Sequence, residues 1–546
     1  MAKKKERIYM NRWLLFHPYR TPAPSDFYYL RLCNETYGLM EEDAHFESAG
    51  FLAREEVENL ACFIVCYFED VISGPGLWQA FTTQVNELYG TCLPFYDLDP
   101  DDYYPDEINI EDISFLIWYF ISMTQYDENI INPEVFEWSD LSDRIFEIFE
   151  REYELAPENP SLKEHYKVSP GEENFFVMKE KLRWIMLDSW LLHFQGKELV
   201  EMINEESRYQ NEDSELEENL DMYLYDTIDS YIFSTCTNLL AKQGKDWLAY
   251  VQGKDHPLFE EILGISGKKS GYYLFMGSEN DKLLFQHIAS EKVLKVTAKS
   301  VDLPKDLEKG KSISFAGFVR WKDEWWFSGT TASWEYDVDL ISKEKNSETN
   351  RMLFGEDPVL KKKKNKELYA SFLKFNNGKP IAFVESEEKA GSFIRDYLVF
   401  HNESLDIPAS EKREGRERIL KNELLMRPAR GSELGDIESV PGMIFFNRES
   451  GIQMAFGLND LVPDPDNTSY SEDATDDVSD NESDTESGHE AMRLLYSSYI
   501  SGDWMHYLVN NYDIPELDFP GEGGRELLMD NLDFMMRFWK RKNYYP

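Results

Sequence analysis

The sequence predicts an α+β multidomain protein: an acidic all-α N-terminal domain, a small antiparallel β-barrel-like domain, and an α+β C-terminal region with a disordered acidic loop. Three observations predict it. The apolar period is helical to about residue 260, it switches to two at Gly271, and the negative charge avoids the middle of the chain. Residues 1–250 carry net −31, residues 251–450 net −1 and residues 451–546 net −14, out of −46 in total. Because 42% of the 546 residues are hydrophobic and 14% aromatic, this acidity does not make the chain a disordered polymer. At about 100–200 residues per domain, the length implies about three domains.

The acidic helical domain is expected over residues 1–265. Val57, Leu60, Ala61, Ile64, Val65 and Phe68 form one apolar stripe, Ser73-Gly74-Pro75-Gly76 interrupts it, and Leu77, Ala80, Phe81, Val85 and Leu88 resume it up to Gly90. This predicts a helical hairpin. Leu93 to Glu107 reads as an aromatic, proline-interrupted loop, followed by an apolar helix from Asn109 to Met123 that Asn109 caps, with Asp112 at the third position. Further helices are expected at Trp138–Glu154, Glu172–Phe194 and Leu216–Ala241.

The β domain is expected over residues 270–342. Tyr272–Met276, Leu283–Ile288, Val293–Ala298, Ser312–Arg320, Trp325–Thr330 and Ser333–Val338 are short β-rich runs between turn residues, a pattern that suits a small closed barrel. A charged linker is expected at 343–366, including Lys361–Lys364 and Lys366, and an α+β region at 367–462. Residues 463–490 hold 11 acids and no base, which predicts a disordered segment, and helical periodicity returns over 491–546, expected to pack on the body.

Composition also bounds the setting. The start, MAKKKERIYMNRW, lacks the apolar run of a secretory signal, and the most apolar stretches, Leu60–Phe68 and Phe115–Met123, are too short to cross a bilayer. A cytoplasmic protein without membrane attachment is expected, its five cysteines reduced. Between residues 51 and 150, 22 acids face only Arg54 and Arg144, a field that repels nucleic acid and attracts basic partners.

No motif names a reaction. The nine histidines are scattered without a metal spacing, GxSxG and phosphate-loop patterns are absent, and the Glu69–Asp70 carboxylate pair is of a kind expected by chance among 103 acids. Cys62 and Cys66 lie one helical turn apart, with Cys33 and Cys92 as further thiols, but their apolar neighbours favour core packing over zinc. No cofactor is implied. Asp97, Asp99, Asp101 and Glu107 have the alternation of a calcium loop without its glycine and terminal glutamate, so a cation there is the weaker reading beside a solvated turn. The best binding candidates are Arg320, Trp321, Lys322, Trp325, Trp326, Phe327 and Trp334, since cations among aromatic rings stack bases and hold phosphates on small barrels. Strand alternation puts Trp325 and Phe327 on one face and Trp326 on the other, so one face must be core.

The phrases IYMNRWLLFHPYRTPAPSDFYYLRLCNE, YFEDVISGPGLWQAF, LPFYDLDPDDYYPDEINIEDISFLIWYF and FMMRFWKRKNYYP together resemble a bacterial, Bacteroidetes-type family known only as a domain of unknown function. The resemblance implies a cytoplasmic bacterial protein and a likeness over nearly the whole chain, and supplies no activity or functional residues. The functional expectation is a non-enzymatic interaction or scaffold protein whose acidic helical surface meets a basic protein. A nucleic-acid-associated protein using the Trp-rich β domain, and an enzyme, metal-dependent or not, with an inter-domain site, are the alternatives.

Overall fold

A computed structural model describes residues 7–42, 52–99, 101–125, 131–134, 138–210, 220–300, 307–355, 358–421, 440–448, 450–470, 492–515, 517–519 and 523–544. It has an α+β architecture in two compact units: residues up to Phe354, apart from 127–130, and a second unit that includes Gly355–Pro546.

The first unit opens with helices α1 (Met10–Trp13), α2 (Asp26–Glu42), α3 (Arg54–Ser73), α4 (Leu77–Tyr89), α5 (Ile110–Thr124), α6 (Trp138–Glu152) and α7 (Pro160–Tyr166). In place of the expected hairpin, α3 and α4 meet in a corner of 89°, broken where Gly74 (φ 65°) and Gly76 (φ 88°) adopt left-handed backbone that a side chain disfavours. Every residue from Leu60 to Asp70 in α3 and from Asp112 to Ser122 in α5 is buried, which explains their nearly unbroken apolar runs. Among the described residues no single helix is long and apolar enough to cross a membrane; α3 and α4 reach that composition only as a pair bent by 89°.

Helix α6 is fastened to α2 through Glu152. Its carboxylate accepts a 2.5 Å hydrogen bond from the Tyr28 hydroxyl and pairs with Arg31 and Arg151. Burial alone would raise its pKa, but these donors outweigh burial and hold it at about 2, below its ordinary 4.5. A depressed carboxylate contributes stability that is present above pH 4.5 and lost as pH falls through about 2. Glu152→Gln should therefore flatten the acid limb of a stability–pH profile between pH 5 and pH 2 measured by urea unfolding. An unchanged limb would contradict this link.

Helices α8 (Phe175–Leu187), α9 (His193–Gln210), α10 (Leu220–Ser234), α11 (Gly244–Gln252) and α12 (Phe259–Leu263) lead to the barrel. Its strands are β1 (Lys269–Glu279), β2 (Lys282–His287), β3 (Val293–Thr297), β4 (Ser312–Trp321) and β5 (Glu324–Glu335), closed in the order β1-β2-β3-β5-β4. This is the Greek-key order of the five-stranded OB barrel. It departs from the expected all-antiparallel pairing at one place, because β3 and β5 run parallel where Val296 meets Trp325. Tyr273, Phe275, Leu283, Phe285, Leu294, Val296, Ala316, Phe318 and Phe327 fill the interior. The two runs expected at 325–330 and 333–338 are one bulged strand, with Gly329 at φ 86° beside the register shift between Ala316 and Phe318, and Val338 already begins α13 (Val338–Asn346). Lys322 (φ 47°) and Asp323 (φ 61°) make the two-residue turn between β4 and β5.

A buried charge cluster holds the barrel to the helices. Lys179 of α8 pairs with Asp229 of α10, and Lys268, just before β1, pairs with Asp226 (2.7 Å) and Asp229 (3.1 Å). From β5, the Ser328 hydroxyl donates to Asp229 (2.8 Å) and the Thr330 amide to Asp226 (3.1 Å). A Cβ on Gly329 would strike Asp226 and Lys268, so the strand reaches the cluster only as glycine.

After α14 (Glu348–Arg351), the second unit contains α15 (Pro358–Phe375), β6 (Ile381–Val384), α16 (Glu387–Ser404), α17 (Ala409–Lys421), β7 (Gly442–Asn447), β8 (Gly451–Phe456), α18 (Arg493–Tyr496), α19 (Gly502–Asn511), α20 (Gly524–Asp530) and α21 (Leu532–Lys540). Much of the expected charged linker is therefore helix, because lysine has good helix propensity and the Lys361–Lys364 run lies within α15. Strands β6, β7 and β8 form an antiparallel sheet whose core joins Phe372, Tyr397 and Phe446. Of the acidic segment 463–490, residues 463–470 include a turn in which the buried Asn467 amide donates to the Asn459 and Val462 carbonyls (2.5 and 2.7 Å); residues 471–490 lie outside those described. Buried Lys540 donates to the carbonyls of Leu494, Leu495 and Ser497, so α21 packs against α18.

Candidate functional site

The structure disperses the seven residues proposed from the β domain. Phe327 (6% exposed) lies inside the barrel, 4.7 Å from the Phe318 ring, and Trp325 packs on the same interior and near Phe354. Trp326 (4%) and Trp321 (1%) lie on the outer wall against Phe175 of α8, at ring distances of 5.9 and 6.3 Å. Both strand faces are thus core here, because the helical layer covers the outer one, and a period of two does not announce that cover. Lys322 donates to the Glu172 carbonyl (2.5 Å) and sits 4.8 Å over the Trp321 ring, while exposed Arg320 pairs with Asp323. Trp334 alone of the five aromatics is well exposed, at 46%, and joins Tyr272 and Phe315 in an outward strip across β1, β4 and β5.

Asp97, Asp99, Asp101 and Glu107 do not converge on a cation. They are exposed, and among the described residues the one group with metal-ligand spacing lies elsewhere. Their loop is instead anchored by its aromatics. Phe95 packs on Trp118, and Tyr103 donates to Asp112 (2.9 Å). Asp112 also accepts from the Tyr67 hydroxyl (2.8 Å), the Trp78 indole (2.8 Å) and the Asn109 amide (3.2 Å). Asn109 precedes α5 without the expected side-chain cap, since its amide also donates to the Tyr104 and Glu107 carbonyls. In this way the apolar rings turn inward and the loop's carboxylates outward.

The metal-spaced group is His17, Asp26 and Glu69, whose ligand atoms all lie within 4.8 Å of one another and which are all buried. His17 leaves the segment after α1, Asp26 starts α2, and Glu69 faces them from α3. The His17 Nδ1 faces the Trp13 carbonyl (3.1 Å) and its Nε2 faces Glu69 Oε2 (2.8 Å) and Asp26 Oδ1 (3.9 Å). Asp26 accepts from the Trp13 indole (2.9 Å), the Tyr19 hydroxyl (3.1 Å) and the Ala23 amide (2.6 Å), while the Asn159 amide donates to Glu69 Oε1 (2.8 Å) and to Tyr19 (2.6 Å). Burial by itself lowers the His17 pKa, but Glu69 and then Asp26 more than offset it and raise it above the usual 6.5. With an acceptor at each nitrogen, the protonated ring can donate at both.

Sequence reasoning missed this group, since its members come from three elements and have no fixed spacing; the buried Glu69 was the one visible trace. The cysteines are free thiols in the described structure, and burial pushes Cys33 and Cys66 well above the ordinary thiol range, away from reactivity. In the second unit, a cavity of about 350 Å³ is lined by Tyr512, Asp513, Ile514, Leu517, Arg525 and Met529 among others. Its guanidinium is already bound to Asp513 and to the Ile514 and Leu517 carbonyls.

Fold and site together define an α+β protein that joins an acidic helical layer to an OB-type barrel around buried polar clusters. Residues 7–276 match the family described as Protein of unknown function (DUF3843), so the resemblance to an uncharacterised domain of unknown function holds over that stretch, which ends within β1. The comparisons with curated proteins and with solved structures return no match.

Proposed function

We propose that the chain is a bacterial, cytoplasmic, non-enzymatic binding protein whose acidic helical face receives a basic protein partner. The observation that carries this reading is the outward placement of acid. Of the described carboxylates between residues 51 and 150, Glu69, Asp70 and Asp112 are buried and the others are exposed or half-buried, against the two bases Arg54 and Arg144. Such a one-signed field speeds encounter with a cationic surface and is screened over about 10 Å at 0.1 M salt. The anchored loop at 97–107 presents its carboxylates at low ordering cost.

Neutralising that loop tests the reading, because Asp97→Asn, Asp99→Asn, Asp101→Asn and Asp102→Asn together leave Asp112 in place. Stopped-flow association with a lysine-rich peptide at low salt should slow by on the order of tenfold, with a shallower salt dependence. An unchanged rate would count against it.

The outward Tyr272–Phe315–Trp334 strip supports a second reading, a nucleic-acid-associated barrel. There, Trp334→Ala should weaken a single-stranded oligonucleotide by about 1–3 kcal/mol in a low-salt titration, and no binding by the unaltered protein would remove this reading.

A further inference from the structure

We infer that His17, Asp26 and Glu69 form a binding site for one divalent transition-metal ion, with zinc the best fit. The inference is independent of the partner reading. It rests first on geometry: one nitrogen and two carboxylate oxygens, contributed by three separate elements, converge within 4.8 Å. In a tetrahedral zinc site with bonds of about 2.0–2.1 Å, neighbouring donor atoms stand roughly 3.3 Å apart. The observed separations of 2.8 Å (His17–Glu69) and 3.9 Å (His17–Asp26) straddle that value, and the two carboxylate oxygens lie within 4.8 Å of each other.

The outer contacts are those a metal site needs. His17 Nδ1 is fixed on the Trp13 carbonyl, which directs Nε2 at the carboxylates and, in the neutral ring, leaves its lone pair for the ion. Glu69 is oriented through Oε1, which Asn159 holds, while Asp26 is held at Oδ2 by the Ala23 amide and at Oδ1, the oxygen nearer His17, by the Trp13 indole and the Tyr19 hydroxyl. The Tyr19 hydroxyl, already hydrogen-bonded to Asp26 and Asn159, stands beside the group as a further oxygen.

Charge points the same way. Among the described residues no lysine or arginine pairs with Asp26 or Glu69, so the His17 ring is the one basic group beside the two buried carboxylates. A divalent cation held by two carboxylates and a neutral imidazole makes a neutral group. Ligation uses the Nε2 lone pair of the neutral ring, so any proton there leaves to buffer as the metal–nitrogen bond forms. The side chains are buried, so the ion is enclosed and joins the start of the chain to α2 and α3.

The test uses the full chain, stripped with a chelator and titrated with zinc chloride and, separately, manganese chloride. Elemental analysis after desalting should find one zinc per chain. Calorimetric titration should saturate at one equivalent of zinc. Glu69→Gln and His17→Gln should each weaken zinc at least tenfold. Because those variants can also unfold, X-ray absorption on the unaltered zinc-loaded protein decides: an imidazole and oxygen shell supports the site. A sulfur shell, which would place the ion on Cys33, Cys62 or Cys66, overturns it, as does less than a tenth of an equivalent of zinc and manganese bound.

Discussion

Replacing Asp112 with alanine is expected to destabilise the first unit by on the order of 3–5 kcal/mol, because a single buried carboxylate accepts hydrogen bonds from Tyr67, Trp78, Tyr103 and Asn109. All four donors would be left facing a small cavity. Thermal denaturation should show a Tm lower by on the order of 10 °C, and loss of the loop at 97–107 should precede global unfolding in hydrogen exchange. Asparagine should cost far less. Its oxygen can take the place of Oδ2, which receives three of the four donors, and its amide can face the Tyr103 hydroxyl. Burial raises the Asp112 pKa to about 7 despite those donors. A folded pKa above the unfolded value of 3.8 means that the wild type loses stability as pH rises from about 4 to about 7. The asparagine variant lacks that loss, so its deficit should narrow over the same interval in parallel urea titrations. A deficit that widened would contradict an Asp112 pKa above its ordinary range.

The second large effect is expected at Asp229. It lies between Lys179 and Lys268, with side-chain exposures of 1%, 6% and 3%, and accepts from Ser328 of the barrel. Asp229→Ala would strand two buried ammonium groups, with only the part-exposed Asp226 left to balance Lys268. Breaking one partner out of a buried pair typically costs about 3–5 kcal/mol. Urea unfolding should register that loss, with increased proteolysis of the segment before β1. If Asp229→Ala unfolded like the wild type, the charge cluster would not be what fixes the barrel to α8 and α10.

The legible parts of the fold were those with a strong local period. The break at Gly74–Gly76 was visible from its glycines and proline, α3 from the helical recurrence of its apolar residues, and the barrel strands because Tyr273, Phe275, Leu283 and Phe285 alternate with outward residues. The parallel β3–β5 contact was not legible, since pairing order depends on closure and not on local pattern. Helix α17, ASEKREGRERILK, buries none of its side chains, so no apolar stripe marks it. At the site level the sequence singled out Trp321, Trp326 and Phe327 by their density, and density turned out to report a core shared by barrel and helices. His17, Asp26 and Glu69 carried no such signal, because chemistry assembled from three elements has no spacing.

The central claim is that the acidic helical face receives a basic protein, and the most direct test is capture of the tagged full chain's partners from its own host's lysate at low and at moderate salt. Protein and nucleic acid in the eluate are both quantified. One stoichiometric basic protein is expected, retained at low salt, lost at moderate salt and lost at low salt when the loop at 97–107 is neutralised. A set of bound proteins indifferent to salt and to that neutralisation, or nuclease-sensitive nucleic acid in their place, would contradict it.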